Sequence, residues 1–120
     1  MALPPPVAPT DFVGSLRATV HGLLQVGELG LGSAAEAAGM STRSLQRHLA
    51  AAGLSFAGLV DDVRFRMACG LLRDPHSKVV EVSAELGYTD SANFTRAFRR
   101  WAGVSPRSFR RGLSEHALAS

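Results

Sequence analysis

Apolar residues return every three or four positions through most of this chain, with polar residues between them. That period predicts helices rather than strands. Phe12, Val13, Leu16, Val20, Leu23 and Leu24 form a first stripe, with Thr10 or Asp11 placed to cap it. Gly27, Gly30 and Gly32 then interrupt the pattern. Ser33-Ala34-Ala35-Glu36 reads as a capping box opening a short helix, which Gly39 ends in a left-handed turn. Ser41 caps a third helix, from Thr42 to Ala51, in which Leu45 and Leu49 face inward. Gly53 closes it, and Ser55 caps a longer one from Phe56 to about Leu72. Its expected buried stripe is Phe56, Leu59, Val60, Val63, Met67 and Leu71, and Asp74-Pro75 stops it. At about 1.5 Å per residue it would span roughly 25 Å. Gly70 inside it costs up to about 1 kcal/mol against alanine, which predicts a close helix contact there.

Ser77 is expected to begin a fifth helix, with Val79, Val82 and Leu86 apolar and Gly87 at its end. Asp90 caps a sixth, over residues 91–101, with Phe94, Phe98 and Trp101 on one face. Gly103 stops it, and Ser105-Pro106 supplies the cap and first position of a seventh. Continuous β-branched runs are absent except Val79-Val80. The expectation is an all-α chain of seven helices. Residues 1–9 are proline-rich and uncharged, the pattern of a flexible linker remnant. Residues 10–113 form the helical domain, and 114–120 a tail.

The chain also repeats itself. Gly39-Met40-Ser41 matches Gly87-Tyr88-Thr89, Leu45 and Leu49 match Phe94 and Phe98, Arg47 matches Arg96, and Gly53-Leu54-Ser55 matches Gly103-Val104-Ser105. Each unit is a short helix, a glycine turn, a longer helix, a glycine stop and a serine cap. Two short helices around a glycine turn, the second one polar, are the outline of a helix-turn-helix. The long helix would join two of them.

Charge sharpens this picture. The net charge is only +3, but its distribution is uneven. From Ser91 to Arg111 the chain carries Arg96, Arg99, Arg100, Arg107, Arg110 and Arg111 and no acidic residue. A basic face opposite an aromatic one suits a polyanion. Arginine can bond guanine O6 and N7 together, and glutamine can do the same to adenine N6 and N7. Arg43, Gln46 and Arg47 share about one turn of the third helix, placed for neighbouring base pairs. Ser91, Ala92, Thr95 and Arg96 occupy the matching surface of the sixth. Ala92 offers only an apolar contact, such as to a thymine methyl. Ser41, Ser44, Asn93, Arg99, Arg100, Arg107 and Arg110 are expected at phosphates. Against this stands a plainer reading, in which the basic run is a solvated face and Arg47 is bonded to the preceding helix end.

Other chemistries find little support in the sequence. The lone Cys69 excludes a disulfide framework and fits a reducing cytoplasm. His21, His48, His76 and His116 are scattered, with no metal-ligand spacing. No phosphate loop or nucleophile motif is present, so neither an enzyme nor a cofactor is expected. No apolar run approaches the ~20 residues of a membrane span.

The stretch from Leu31 to Arg111 resembles the DNA-binding domain of the AraC/XylS family of bacterial transcription regulators. The most specific part is GYTDSANFTRAFRRWAGVSPRSFR. It carries a glycine-aromatic turn, Phe94, Arg96-Ala97-Phe98, a basic pair, Gly103, Ser105-Pro106 and an aromatic-arginine end. Ala35, Gly39-Met40-Ser41, Leu45, Arg47 and Leu49 are also similar, as are Arg64, Ala68, Leu71 and Leu72. The resemblance implies a sequence-specific DNA-binding regulator in the bacterial cytoplasm, associated with the nucleoid. It also implies base contacts from Arg43, Gln46, Arg47, Ser91, Ala92, Thr95 and Arg96, and RNA polymerase as a partner in an activator. Most members carry an N-terminal effector or dimerisation domain, so this chain is expected to be monomeric alone and dimeric only within a longer protein. Asp61-Asp62, Ser83 and Ala92 depart from the pattern and weaken the expected second-unit recognition. The alternatives are the non-catalytic DNA-binding portion of a repair enzyme, or a protein-interaction module.

Overall fold

A computed structural model of the chain describes residues 9–119, with side chains over residues 12–113. Seven α-helices follow one another: α1 (Pro9–Gln25), α2 (Leu31–Ala37), α3 (Thr42–Ala51), α4 (Phe56–Leu72), α5 (Val79–Glu85), α6 (Ser91–Ala102) and α7 (Pro106–Ala119). No strand occurs among the described residues. The chain divides into two compact units, Met1–Val63 and Arg64–Ser120, so the boundary falls inside α4. The linker expected over residues 1–9 lies outside the described residues up to residue 8, and α1 already includes Pro9. Proline suits a first helical turn, where its missing N–H has no partner to lose. Thr10 and Asp11 are therefore helical rather than capping. At the other end, α7 runs on through the stretch expected as a tail, to Ala119.

In the first unit α1 packs on α2, and α2 on α3. Val13, Leu16, Val20 and Leu24 of α1 are buried, as are Ala34 and Ala35 of α2 and Leu45 and Leu49 of α3. Leu59, Val60 and Val63 are α4's contribution to this unit. Arg17 Nε donates to Asp62 Oδ2 at 2.8 Å, joining α1 to α4 with both side chains about one third exposed. Asp62, which weakened the basic reading of α4 in the sequence, has this structural use.

In the second unit α5 packs on α6, and α6 on α7. Ala68, Leu72, Val82, Leu86, Phe94, Ala97 and Phe98 are buried. The expected single stripe along α4 is thus corrected: beyond Val63 the buried residues are Ala68 and Leu72, while Met67 and Leu71 are half-buried. Each half of the helix serves its own unit's core. The close contact expected at Gly70 is also absent, since a Cβ built there meets nothing within 4 Å. Ser83 is 1% exposed and its hydroxyl has no partner.

Two further helix starts differ from expectation. Ser33 is not a cap; α2 begins earlier, at Leu31, with Gly30 before it. The Ser33 hydroxyl instead donates back to the Glu28 carbonyl at 2.7 Å and the Gly30 carbonyl at 3.1 Å. Likewise α5 begins at Val79 after Lys78, whose backbone N–H donates to the Glu81 carboxylate at 3.0 Å. Ser77 precedes the helix, and its hydroxyl bonds the Leu71 carbonyl at 2.8 Å.

Candidate nucleic-acid interface

The turn between α2 and α3 is made by Gly39 at φ +71, and the turn between α5 and α6 by Gly87 at φ +87. Both lie in the left-handed region, where a Cβ is strained and glycine is not. After the first turn Ser41 takes extended backbone, and its hydroxyl accepts from Ser44 N at 3.1 Å. After the second, Asp90 does the same for Ala92 N at 2.8 Å. A side-chain acceptor at these positions satisfies one of the unpaired amides of a helix start. The two caps expected for α3 and α6 are therefore present.

Each of α3 and α6 is held by one buried face. In α3, Leu45 and Leu49 are fully buried. Arg43, Gln46 and Arg47 are exposed on the remaining surface, brought together within one turn as the spacing predicts. Arg47 Nη2 donates to Ser44 Oγ at 3.4 Å, within its own helix, so no bond ties it to the preceding helix end. His48 Nδ1 lies 2.7 Å from the Ser44 carbonyl, a bond made by the tautomer with its proton on Nδ1. Its ring lies 5.4 Å from that of Phe12.

In α6, Phe94 and Phe98 are fully buried in an aromatic cluster. Tyr88 and Phe94 centroids lie 5.7 Å apart, Phe94 and Phe98 5.9 Å, Phe98 and Phe109 5.4 Å, and Phe65 and Phe98 5.7 Å. Tilted and edge-on rings at such distances add to plain area burial. Arg64 lies over the Tyr88 ring, 5.3 Å from its centroid, a cation–π contact. Opposite the cluster, Ala92, Asn93, Arg96, Arg99 and Arg100 are exposed, while Ser91 and Thr95 are half-buried. Arg96 Nη2 donates to Asn93 Oδ1.

Beside α6 lies an open cavity of about 710 Å³, with Ser91, Thr95, Lys78 and Arg107 among its lining residues. Lys78 was missed in the sequence reading. The signal was available, because it is the chain's only lysine and stands immediately before a helix in an otherwise acidic or neutral stretch. Arg107 is exposed at the start of α7, where Ser105 Oγ accepts from Ser108 N at 3.1 Å. Arg110, expected at a phosphate, is bound elsewhere. Its Nε donates to the Leu72 carbonyl at 3.1 Å and its Nη2 to Ser77 Oγ at 2.7 Å. A cation on the last carbonyls of a helix meets the negative end of its dipole.

Among the described residues no group of three or more His, Cys, Asp or Glu side chains could hold a metal ion. No helix there is long and apolar enough to cross a membrane. Burial pushes the Cys69 thiol pKa above its ordinary value, with Arg73 opposing that shift.

Two glycine-turned helix pairs, each presenting a basic or polar helix face on an apolar base, define a double helix-turn-helix DNA-binding domain. Residues 34–112 match the family model described as "Helix-turn-helix domain". The chain belongs to the AraC-type helix-turn-helix family, a family of transcription regulators rather than enzymes. It is 43% identical over 70 residues to the ornithine utilization regulator of Pseudomonas aeruginosa, a match covering 58% of this chain and 21% of that protein. It is 34% identical over 88 residues to the transcriptional regulator VirS of Mycobacterium tuberculosis, covering 73% of this chain and 26% of that one. The chain thus spans about a fifth to a quarter of these curated relatives. Among solved structures, the C-terminal domain of AraT, a response regulator from Geobacillus stearothermophilus, superposes with a TM-score of 0.72 at 30% identity. That match covers 83% of this chain and 84% of the other. A DNA-binding dual regulator from Escherichia coli K-12 gives a TM-score of 0.78 over 96% of this chain and 98% of that one. At 22% identity that likeness speaks for the fold.

Proposed function

We propose that this chain is the DNA-reading part of a sequence-specific bacterial transcription regulator, in which α3 and α6 each enter a major groove, in successive segments of one duplex. The observation that carries this reading is the repeated arrangement itself. Two capped helices, each behind a positive-φ glycine, bury apolar side chains on one face and leave Arg43, Gln46 and Arg47, or Ala92 and Arg96, exposed on the other. The major groove admits one such helix, and its base edges match these side chains.

The two helices divide the work unequally. In α3 the arginines and Gln46 supply bidentate hydrogen bonds to base edges. In α6 Arg96 is the main hydrogen-bonding reader, Ala92 offers an apolar contact, and half-buried Ser91 and Thr95 add short-range contacts. Arg99, Arg100, Arg107, Lys78 and Ser41 bind phosphates, which fixes register and contributes most of the salt-dependent affinity. Arg110 is assigned a structural role instead.

The remainder of the regulator, with its effector or dimerisation domain and its contacts to RNA polymerase in an activator, is assigned to parts of the protein beyond these helices. The relatives' greater length is consistent with that division. The working site is the bacterial nucleoid.

The test is selection of bound duplexes from a random pool, followed by affinity for the winner across a salt series. The reading expects an enriched motif and a log–log salt slope equivalent to several phosphate contacts. A steep salt slope without any enriched motif would sink the sequence-specific part of the proposal.

A further inference from the structure

The internal repeat aligns Ser44 with Asn93 and Arg47 with Arg96, each pair the same distance along its reading helix. In both pairs the guanidinium lies against the side-chain oxygen three residues before it, at a long 3.4 Å in the Ser44–Arg47 pair. Arg47 Nη2 donates to Ser44 Oγ, and Arg96 Nη2 donates to Asn93 Oδ1. In each case the acceptor lies three residues before the arginine. Residues three apart are neighbours on a helix surface, so a short acceptor can reach the guanidinium of the long side chain that follows. The two acceptors differ in chemistry, one a hydroxyl and one an amide oxygen. Their common feature is an oxygen in the same place.

We infer that Ser44 and Asn93 are positioning residues for the two readout arginines, and not phosphate ligands. This rests on the proposed DNA-reading role of α3 and α6. A guanidinium carries five N–H donors in a fixed planar fork. One bond from Nη2 to the buttress leaves Nη1, Nε and the second Nη2 hydrogen for a base. Guanine O6 and N7 require two donors in one plane. A guanidinium already held before DNA arrives presents that fork with less ordering left to do at binding. The buttress therefore acts on discrimination between bases, through the arginine, and not on the general attraction to the duplex.

The two roles separate experimentally. Asn93→Ala and Asn93→Ser in the full chain are compared with wild type and Arg96→Ala. Affinities are measured for the selected duplex, its single-base variants and an unrelated duplex, over a salt series. The base pair read by Arg96 is the one whose preference Arg96→Ala removes. Asn93→Ala is expected to lower the preference at that pair about tenfold, with affinity for the unrelated duplex and the salt slope unchanged. Asn93→Ser, which installs the acceptor type of the first unit, is expected to restore most of the preference. Ser44→Ala is expected to do to the Arg47 pair what Asn93→Ala does to the Arg96 pair. Equal weakening on every duplex, with base preference intact, would make Asn93 a phosphate ligand and overturn the inference. So would an unchanged preference in Asn93→Ala. A wild-type chain with no sequence preference would overturn the parent reading as well, which is a different result from a wild type that discriminates and a variant that discriminates equally.

Discussion

Arg110 Nη2 donates to Ser77 Oγ at 2.7 Å, linking α7 to the segment between α4 and α5. The same hydroxyl donates to the carbonyls of Leu71 and Asp74, and Arg110 Nε donates to that of Leu72. Arg110, 38 residues on from Leu72, and Ser77, six on from Leu71, thus together satisfy the end of α4. The guanidinium is half-buried there, which makes the bonds worth more than exposed ones would be.

Arg110→Ala should therefore destabilise the fold by about 1–3 kcal/mol, the usual range for a lost charge-assisted bond with its acceptor left behind. The salt slope of DNA binding should stay as in wild type. Arg107→Ala should do the reverse, leaving chemical denaturation unchanged and lowering the slope by about 1. A lowered slope in Arg110→Ala at unchanged stability would return that residue to the phosphate contacts.

Gly70 offers the opposite kind of change. It is exposed inside α4, and a Cβ added there meets nothing within 4 Å. Glycine in a helix interior costs about 1 kcal/mol relative to alanine. Gly70→Ala should raise the unfolding free energy by about 1 kcal/mol, seen as a higher denaturation midpoint at an unchanged m-value. A loss of stability would mean that the open space is filled by something α4 packs against.

The turn glycines should respond differently to the same substitution. A Cβ at Gly39 would also meet open space, so the strain comes from the backbone at φ +71. Gly39→Ala and Gly87→Ala should each cost about 1–2 kcal/mol. Because a Cβ meets open space at Gly39 and Gly70 alike, the contrast between those two in parallel melts isolates the backbone strain.

Cys69 gives a pH prediction. Burial raises its thiol pKa in the folded chain. The thiolate fraction at pH 8 is then lower in the folded than in the unfolded state, and iodoacetamide should react more slowly in buffer than in urea. The linked effect on stability has a definite sign. The contribution is fully present below the unfolded thiol's pKa and is lost as pH rises through the higher folded value. Cys69→Ala should remove that alkaline loss.

Helices α3 and α6 were legible because their signals are local and redundant. Ser41 and Asp90 are caps next to a glycine turn, and Leu45, Leu49, Phe94 and Phe98 repeat at helical spacing. Weaker signals failed where neighbours compete for one role. Ser33 lost the start of α2 to Gly30, and Ser77 lost that of α5 to Lys78, because each serine hydroxyl bonds a preceding carbonyl. The stripe of α4 was read as one because the sequence does not mark where one core ends and the next begins. The bonds of Arg110 to Leu72 and Ser77 were not legible because a bond spanning more than thirty residues leaves no trace in local spacing. Lys78 was overlooked for the complementary reason: it belongs to a groove built from α5, α6 and α7, and no single helix pattern contains that groove.

The most direct test of the two-headed reading compares Arg43→Ala and Arg96→Ala with wild type in the same duplex selection. Two motifs about one helical turn of DNA apart are predicted, with each substitution relaxing one of them and leaving the other. Each lost contact should cost about 1–3 kcal/mol at its own base pair. A single motif relaxed by Arg43→Ala, and untouched by Arg96→Ala, would contradict the account and leave α6 as an anchor on the DNA backbone.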